Sequence, residues 1–516
     1  MPLLHGASLR ALLAGAAVAH LSSSPIVRAS PCAPPQPLRL RAFASHSASE
    51  PPPPPPSSPS PSTSRVLASA AAACDCEEGA KPAICTADEL HYAPVPGTEW
   101  RLALWRYRPP PEAPKRNHPL MLLSGVATNA VGFDLSPGAS FARHMSMQGF
   151  DTWIVELRGA GLSTRGSELA AASTKSDMSS NSELVPDASL TSSLEEVADK
   201  FLGLMELPQT SAIYDQISQL SQRLVKILGE GQQNVSPRLF GWQERLSATI
   251  EDLQKQLELI ISYDWDFDHY LEEDVPAAID YIKQQSVPKD GKLLAIGHSM
   301  GGILLYAMVS KCGFEGADPE LAAIVTLASS VDYTTSNSSL KLFVPLADPA
   351  EMLRVPAVPL GTLLSTTYPI SSRAPYILSL LRSQISAKDM MDPELLSKLI
   401  LNNFCTVPAK VLLQLATSFR DGGLRNRAGT FFFKEHLRKI KVPVLALAGD
   451  EDLICPPEAV YETVKVIPQH LVTYKVFGKP EGPHYAHYDL VGGRKAVHEV
   501  YPCIIEFLSQ HDDVSS

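Results

Sequence analysis

The sequence predicts an α/β fold in which a mostly parallel central sheet is covered by helices on both faces. Several apolar runs of strand length end in glycine-rich loops, which is typical of parallel strands buried on both sides. Helical patterns lie between these runs, as the crossover between parallel strands requires. The chain has 516 residues, and the order of its elements favours one domain with extensions and insertions over two domains.

The composition excludes some classes of function. Hydrophobic residues make up 45% of the chain and charged residues 19%, which is ordinary for a globular protein with a large core. The net charge of -11 and the scarcity of lysine and arginine clusters argue against a nucleic-acid partner. No apolar run approaches the length of about 20 residues that spans a bilayer.

The cysteines indicate neither a disulfide framework nor a metal centre. Among the eight, only Cys74 and Cys76 are closely spaced, and they lie in an N-terminal extension. We therefore expect the protein to work in a reducing or redox-neutral compartment. No metal-ligand spacing and no phosphate-binding glycine loop stands out, so we expect no cofactor.

The first 65 residues predict a transit peptide followed by a disordered linker. No Asp or Glu precedes Glu50, and arginines are scattered among Ala, Ser, Leu and Pro. The serine and proline content favours a plastid over a mitochondrion. Both are favoured over a secretory signal, whose apolar core would be residues 12–19. Residues 51–61, rich in Pro and Ser, form an extended linker.

The folded domain is predicted over residues 89–510. It opens with two antiparallel edge strands, residues 91–92 and 100–107, around a turn at Pro96-Gly97. Buried strands are then predicted at residues 119–123, 152–157, 293–296, 321–328, 442–448 and 472–477.

Two helical segments interrupt this pattern. The first, about 190–262, begins with the capping box Ser193-x-x-Glu196 and carries apolar residues at helical spacing. Its polar faces carry both signs of charge, which favours packing on protein as a lid or subunit contact over a membrane surface. The second, about 333–437, is predicted to be helical and interrupted by prolines.

A candidate nucleophile lies between the predicted strand at 293–296 and an apolar helix. The intervening residues, Gly297-His298-Ser299-Met300-Gly301, have the form Gly-x-Ser-x-Gly. Two glycines at a turn too sharp for side chains leave Ser299 strained and exposed at the strand's end. A structural Gly-Ser turn is the alternative. The strand and the helix favour the nucleophile.

A serine hydroxyl needs a base to take its proton, and the base needs an acid partner. For the acid we favour Asp452, in the loop after the predicted strand 442–448. Asp450 is more easily interpreted as capping that turn. Asp332, after the strand that follows Ser299, is a weaker candidate. A solvated loop carboxylate is the alternative for each of them.

Two histidines compete for the role of base in the loop after the last predicted strand. We favour His487, because the residues after it can start the terminal helix and leave its imidazole at the loop's end. His484 is the alternate, or a residue that supports it. His298 is interpreted as a packing and hydrogen-bonding residue.

The tetrahedral intermediate of acyl transfer needs backbone N-H donors. One is expected at Met300, directly after the nucleophile, and the other at Val126, after Ser124-Gly125 in the loop that follows the first parallel strand. The loop from Arg158 to Ser163 is interpreted as a tight turn that shapes the pocket floor.

Four motifs together carry a resemblance to a known family: Gly297 to Gly301, Glu156-x-Arg158-Gly159-x-Gly161-x-Ser163, Gly449-Asp450-x-Asp452 with Pro456, and His487-x-Asp489. With them the chain resembles the α/β-hydrolase superfamily over about residues 89–508, without the first helical insert. It is most similar to lipase and esterase-like members and looks like a plant, plastid-targeted group. Ser124 and Ala486 depart from the residues that many relatives have there, His and Gly.

The resemblance implies an α/β-hydrolase fold with a helical cap at about 333–437. It also implies hydrolysis of a carboxylic ester through an acyl-enzyme, with Ser299, Asp452 and His487 as the triad and an apolar ester as the partner. Esters of prenyl alcohols such as phytol, which feed tocopherol synthesis, and acyl lipids are the substrates considered. Peripheral contact with the plastid envelope or thylakoid is compatible with them.

Two other functions stay open. The same triad can pass the acyl group to an alcohol, which would make the protein an acyltransferase. A non-catalytic binding protein could keep the fold and use the inserted helices as an interaction surface. Dehalogenase and epoxide-hydrolase chemistry is disfavoured, because it needs Asp in place of Ser299.

Overall fold

A nine-stranded sheet forms the centre of the described chain. The computed structural model describes residues 82–166, 262–346, 356–364 and 383–513. The sheet strands are β1 (Glu89–Pro94), β2 (Trp100–Tyr107), β3 (Leu120–Leu123), β4 (Thr152–Val155), β5 (Thr164–Arg165), β6 (Leu293–His298), β7 (Leu321–Leu327), β10 (Val444–Gly449) and β11 (Val472–Phe477). Two further strands, β8 (Ala357–Pro359) and β9 (Thr406–Pro408), pair with each other.

The sheet is parallel except at one end. Its order is β1-β2-β4-β3-β6-β7-β10-β11, with β5 paired to β2. β1 and β2 are antiparallel, β2 is antiparallel to β4, and every pairing from β4 to β11 is parallel. Leu123, the last residue of β3, lies opposite Gly297 in β6. The loops that follow these two strands therefore emerge side by side at the same edge of the sheet.

The helices are α1 (Phe141–Met147), α2 (Phe267–His269), α3 (Val275–Ser286), α4 (Met300–Glu315), α5 (Pro393–Asn402), α6 (Ala409–Ala416), α7 (Phe433–His436), α8 (Pro457–Val464), α9 (Asp489–Gly492), α10 (Ala496–Glu499) and α11 (Tyr501–Gln510). Ser140 caps α1 by accepting a hydrogen bond from Arg143 N. Pro276 occupies the first turn of α3, where its missing N-H has no cost.

The central strands are buried on both faces, as their continuous apolar runs predicted. Side chains alternate between two apolar clusters. Leu120 and Leu122 of β3 belong to one cluster, and Met121 and Leu123 belong to the other. Because successive side chains of a strand point to opposite faces, each cluster covers one face of the sheet. The predicted α/β class is confirmed.

The second helical segment differs in part from its prediction. Within the described parts of residues 333–437, β8 and β9 form an antiparallel pair in which Val358 lies opposite Val407. The expectation of helices alone missed this pair, because its two strands are far apart in sequence and too short for a periodic signal. The predicted terminal helix also divides into α10 and α11, since Pro502 lies in the first turn of α11.

Several expectations fall on residues outside the described ranges. They are the transit peptide and linker at 1–65 and the helical insert at about 190–262, of which only residue 262 is described. Within the described ranges, no helix has both the length and the apolar character needed to cross a membrane. The cysteines within these ranges, Cys85, Cys312, Cys405, Cys455 and Cys503, are not in disulfide bonds.

Candidate active site

Ser299 lies between β6 and α4 in a strained backbone conformation. Its φ is 54° and its ψ is -119°, a region that residues with a side chain rarely occupy. Such strain costs about 1–3 kcal/mol and persists only where the surroundings enforce it. Here Ser299 N donates to Leu327 O at 2.9 Å, and Ser299 O accepts from Ile303 N at 3.1 Å. The end of β7 and the first turn of α4 thus hold the residue in place.

The two glycines of the motif are required by close backbone contacts. A Cβ at Gly297 would lie 2.3 Å from the carbonyl carbon of Gly301, and one at Gly301 would lie 2.1 Å from Leu123 O. Gly125 adjoins Ser299, since a Cβ at Gly125 would lie 3.3 Å from the Cβ of Ser299. The loop after β3 therefore passes directly beside Ser299.

A buried carboxylate–imidazole pair lies at the same edge of the sheet. His487 Nδ1 is 2.9 Å from Asp452 Oδ2, and both side chains are buried. The other oxygen of Asp452 accepts from Ile454 N at 2.9 Å and Cys455 N at 2.8 Å. The carboxylate of Asp452 accepts a hydrogen bond from the Nδ1–H of His487. In that tautomer Nε2 of His487 is free to take a proton.

His298 supports the backbone of His487. Its Nε2 is 2.9 Å from His487 O, and the two rings lie 4.8 Å apart between centroids. Burial, with the nearby His487, lowers the pKa of His298 to about 3, so the ring is neutral near pH 7. A neutral ring donates here from Nε2. The contact is the packing and hydrogen-bonding arrangement expected for His298.

The alternate candidates have other partners. Asp450 Oδ2 is 2.5 Å from His484 Nδ1, and the His484 side chain is 37% exposed. Asp332 forms an ion pair with Lys434 and accepts from Thr334 N at 2.8 Å. The structure thus joins Asp450 to His484, and Asp452 to His487, in two separate pairs.

Ser299 and His487 both line one cavity of about 200 Å³, together with Val126 and Met300. Apolar side chains make up most of its remaining wall: Ile303, Tyr333, Leu340, Ile385, Phe404, Leu415, Phe419 and Ile454. They come from α4, α6 and the segments that connect β7 to β11. The site therefore offers a polar reaction centre at one wall of an apolar chamber.

Two backbone N-H groups are candidates for binding an oxyanion. Met300 is the first residue of α4, and the N-H groups of a helix's first turn have no partner within the helix. Val126 belongs to the loop after β3, which is held by a hydrogen bond from Thr128 Oγ1 to Gly125 O at 2.8 Å and one from Cys405 N to Ala127 O at 2.7 Å. Both residues border the cavity beside Ser299.

Comparison with known families decides the identity of this fold. A family model described as "alpha/beta hydrolase fold" matches residues 118–489. The chain belongs to the α/β hydrolase fold family. None of the curated proteins matches it.

Solved structures with this fold are similar to the chain at low identity. A soluble variant of monoglyceride lipase from Saccharomyces cerevisiae is 13% identical, with 84% of this chain and 98% of that chain covered and a TM-score of 0.44. A thermophilic esterase from Thermogutta terrifontis is 13% identical, with 82% and 100% covered and a TM-score of 0.43. A proline iminopeptidase from Mycobacterium smegmatis is 13% identical, with 82% and 99% covered and a TM-score of 0.39.

The loop from Arg158 to Ser163, predicted to shape the pocket floor, borders a small void next to the cavity at Ser299. Arg158 Nε donates to Asp274 Oδ1 at 2.8 Å, and its guanidinium also pairs with Glu273. Arg158, Gly159 and Ala160 of this loop line the void of about 10 Å³, which shares Gly125 and Met300 with the cavity at Ser299. The positive charge of Arg158 is therefore balanced by Asp274 and Glu273, and the residue has a structural role in this α/β hydrolase.

Two buried carboxylates were missed as contributors to the site. Glu156 accepts from Ala130 N at 2.9 Å and Leu162 N at 2.8 Å, which ties together the loops after β3 and β4. Asp489 accepts from Ser386 and Ala387, beside His487. The sequence contains one signal for Asp489, an acidic residue that directly precedes the apolar pair Leu490-Val491. An acid in such a position needs buried donors.

Proposed function

We propose that this α/β hydrolase is a serine hydrolase that cleaves carboxylic esters with an apolar group through an acyl-enzyme. One observation carries the proposal: Ser299 and the hydrogen-bonded pair of His487 and Asp452 meet at a single apolar cavity. Nucleophile, base and acid are the three groups that acyl transfer needs, and their chain order is that of this family.

In the proposed reaction, Ser299 Oγ attacks the ester carbonyl carbon while His487 Nε2 takes the hydroxyl proton. Asp452 stabilises the imidazolium that forms. The carbonyl oxygen becomes an oxyanion, for which the N-H groups of Val126 and Met300 are the proposed donors. The bond from the carbonyl carbon to the alcohol oxygen then breaks, and His487 returns its proton to the leaving alcohol. The acyl group stays on Ser299.

Water completes the proposed cycle. His487 takes a proton from a water molecule whose oxygen attacks the acyl-enzyme. The second tetrahedral intermediate collapses by breaking the bond to Ser299 Oγ, which regains its proton from His487. An alcohol that reaches the acyl-enzyme in place of water would receive the acyl group. Product analysis with added alcohol distinguishes this acyltransferase alternative from hydrolysis.

The cavity wall supports an apolar substrate. Aromatic and aliphatic side chains such as Phe404, Leu415 and Phe419 give an acyl or prenyl chain a surface to bury against. We propose acyl lipids or prenyl esters, including phytyl esters, as the substrate class. A series of p-nitrophenyl esters tests it: kcat/KM should rise about fourfold for each methylene that enters the cavity. Leu415→Trp should end that rise at a shorter chain.

Labelling with a fluorophosphonate probe tests the nucleophile. We expect the wild type to label and Ser299→Ala to lose both labelling and esterase activity. Ser509→Ala, a matched change in α11, should label like the wild type. Equal labelling in wild type and Ser299→Ala would contradict the proposal. A folded wild type without labelling would favour the binding-protein alternative.

We further propose that the protein works in a plastid, where contact with an envelope or thylakoid surface would supply apolar esters. Support comes from the acid-free, serine- and proline-rich composition of the first 49 residues. A fluorescent protein fused behind residues 1–65 should enter plastids of plant cells. Import into mitochondria or secretion would contradict this location.

A further inference from the structure

A buried carboxylate two residues after His487 links two parts of the cavity wall. Asp489 accepts three hydrogen bonds, from Ser386 Oγ at 2.6 Å, Ala387 N at 2.7 Å and Ala486 N at 2.8 Å. Its side chain is inaccessible to solvent. The first two donors belong to a segment about a hundred residues earlier in the chain, and the third directly precedes His487.

Further backbone hydrogen bonds join the same two segments. Tyr488 N donates to Ile385 O at 2.8 Å, and Arg494 N donates to Met390 O at 2.7 Å. Ile385, His487 and Tyr488 all line the cavity. The wall segment 385–387 and the loop that carries His487 therefore form one hydrogen-bonded unit, which we call the Asp489 clasp.

The clasp leaves the backbone at His487 little freedom. Ala486 N is held by Asp489, Tyr488 N by Ile385, and the oxygen of His487 by His298 on the opposite side. The imidazole can rotate only about its own side-chain bonds, and Asp452 restricts that rotation. A loss of the Asp489 carboxylate frees the residue before His487 and the wall beside it at the same time.

The burial of Asp489 makes its charge sensitive to pH in the weakly acidic range. Burial raises its pKa to about 6, against the lowering effect of its three donors. Asp452 raises it further, and Tyr485 is the other titratable side chain that interacts with it. Directly after the wall segment, Lys388 and Asp389 are exposed. A protonated Asp489 loses acceptor capacity, so the clasp weakens as pH falls below about 6.

We propose that Asp489 is a positioning residue. Its ionised carboxylate fixes the backbone of His487 to the cavity wall at 385–387, and the imidazole is aligned with Ser299 only while the hydrogen bonds of this clasp are formed. The inference rests on the proposed function, because it assigns His487 the role of base. It adds a group that touches neither substrate nor the reacting atoms.

Asp489→Asn is the main test, with p-nitrophenyl acetate as the substrate. An asparagine has an NH₂ group in place of one carboxylate oxygen, and this group cannot accept a hydrogen bond from the donors that surround Asp489. At least one hydrogen bond of the clasp is therefore lost. We expect kcat to fall by about 100-fold, the effect of a misplacement of about 1 Å, while KM stays close to the wild-type value. Ser386→Ala removes one donor and keeps the charge, and its loss in kcat should be smaller.

The pH profile separates positioning from a merely structural role. In the wild type, both Asp489 and the base must be unprotonated, so the acid limb of log kcat should approach a slope of two once the pH lies below the pKa values of both groups, of which that of Asp489 is about 6. In Asp489→Asn the slope should fall to one. Asp280→Asn, the same change at an exposed site on α3, should alter neither kcat nor the slope.

Each outcome decides the inference. A folded Asp489→Asn with wild-type kcat, or with a slope of two, overturns it. If thermal melting shows that this variant does not fold, Ser386→Ala decides, and wild-type kcat there overturns the inference. Fluorophosphonate labelling that depends on Ser299 but is equally fast in Asp489→Asn refutes the positioning role alone. Labelling independent of Ser299 refutes the proposed function and this role with it.

Discussion

The ring of His298 donates a hydrogen bond from Nε2 to the backbone oxygen of His487 at 2.9 Å. His298 directly precedes Ser299, so the turn that presents the hydroxyl is itself bonded to the residue that presents the imidazole. The separation of the two groups is therefore set by a local contact and not only by the packing of the whole sheet.

Replacement of His298 by phenylalanine should keep the ring packing and remove this donor. The oxygen of His487 would then be buried without a partner, which costs about 1–3 kcal/mol of unfolding free energy in urea. We also expect a lower kcat. His436→Phe is the matched control, because His436 Nδ1 has no hydrogen-bond partner in the described structure. Equal stability of His298→Phe and wild type would contradict the expectation.

Paired variants distinguish the two carboxylate–histidine pairs. His487→Ala and Asp452→Asn should each lower kcat by about 10⁴-fold, since the base or its orienting acid is lost. His484→Ala and Asp450→Asn change the partly exposed pair and should retain kcat within a small factor. The measurement is p-nitrophenyl ester hydrolysis at saturating substrate. A large loss in His484→Ala with an active His487→Ala would reverse the assignment.

The turn at Gly301 should not tolerate a methyl group. In Gly301→Ala the new Cβ would lie 2.1 Å from Leu123 O, a backbone atom at the end of β3. We expect a loss of about 1–3 kcal/mol in unfolding free energy, as for other overpacked sites, and a loss of fluorophosphonate labelling. At Gly138 a Cβ would meet nothing within 4 Å, so Gly138→Ala should be neutral or slightly stabilising.

The stability of the folded chain should depend on pH through His118. His118 lies between Asp512 at Nδ1 and Asp290 at Nε2, each 3.0 Å away. Burial lowers the pKa of His118, but the hydrogen bonds to Asp512 and Asp290 outweigh it and raise the pKa above its ordinary value. Its stabilising contribution is then complete below the unfolded-state pKa of about 6.5 and is lost as pH rises through the folded-state pKa.

The check is urea unfolding of wild type and His118→Asn across this range. The difference in unfolding free energy should be larger at pH 5.5 than at pH 9. His470→Asn, an exposed histidine on the same chain, should show no such trend. A difference that does not change with pH would contradict the role of the charged imidazole.

Much of the sheet could be predicted because its strands are locally encoded. β3, β6 and β10 are continuous apolar runs that end in glycine-containing loops, and such runs need no knowledge of their neighbours to be recognised. The ends of the strands were predicted less accurately than their positions. β4 ends at Val155, two residues before the predicted end, because Glu156 turns to accept hydrogen bonds from two loops.

The candidate site was predictable where it follows strand ends and unpredictable where it depends on distant partners. Asp452 and His487 follow β10 and β11, and parallel strands deliver their loops to one edge of the sheet. Their roles stay predictions. The partner of Asp489 is a segment about a hundred residues away, and no local pattern in the sequence links the two.

The backbone of Ser299 has a consequence for selection on this protein. A glycine there would relieve a conformation that costs about 1–3 kcal/mol, yet it would also delete the hydroxyl. Stability and reactivity therefore pull in opposite directions at this one position. Selection for folding stability alone would favour glycine at this position, whereas selection for the proposed esterase activity would retain the serine.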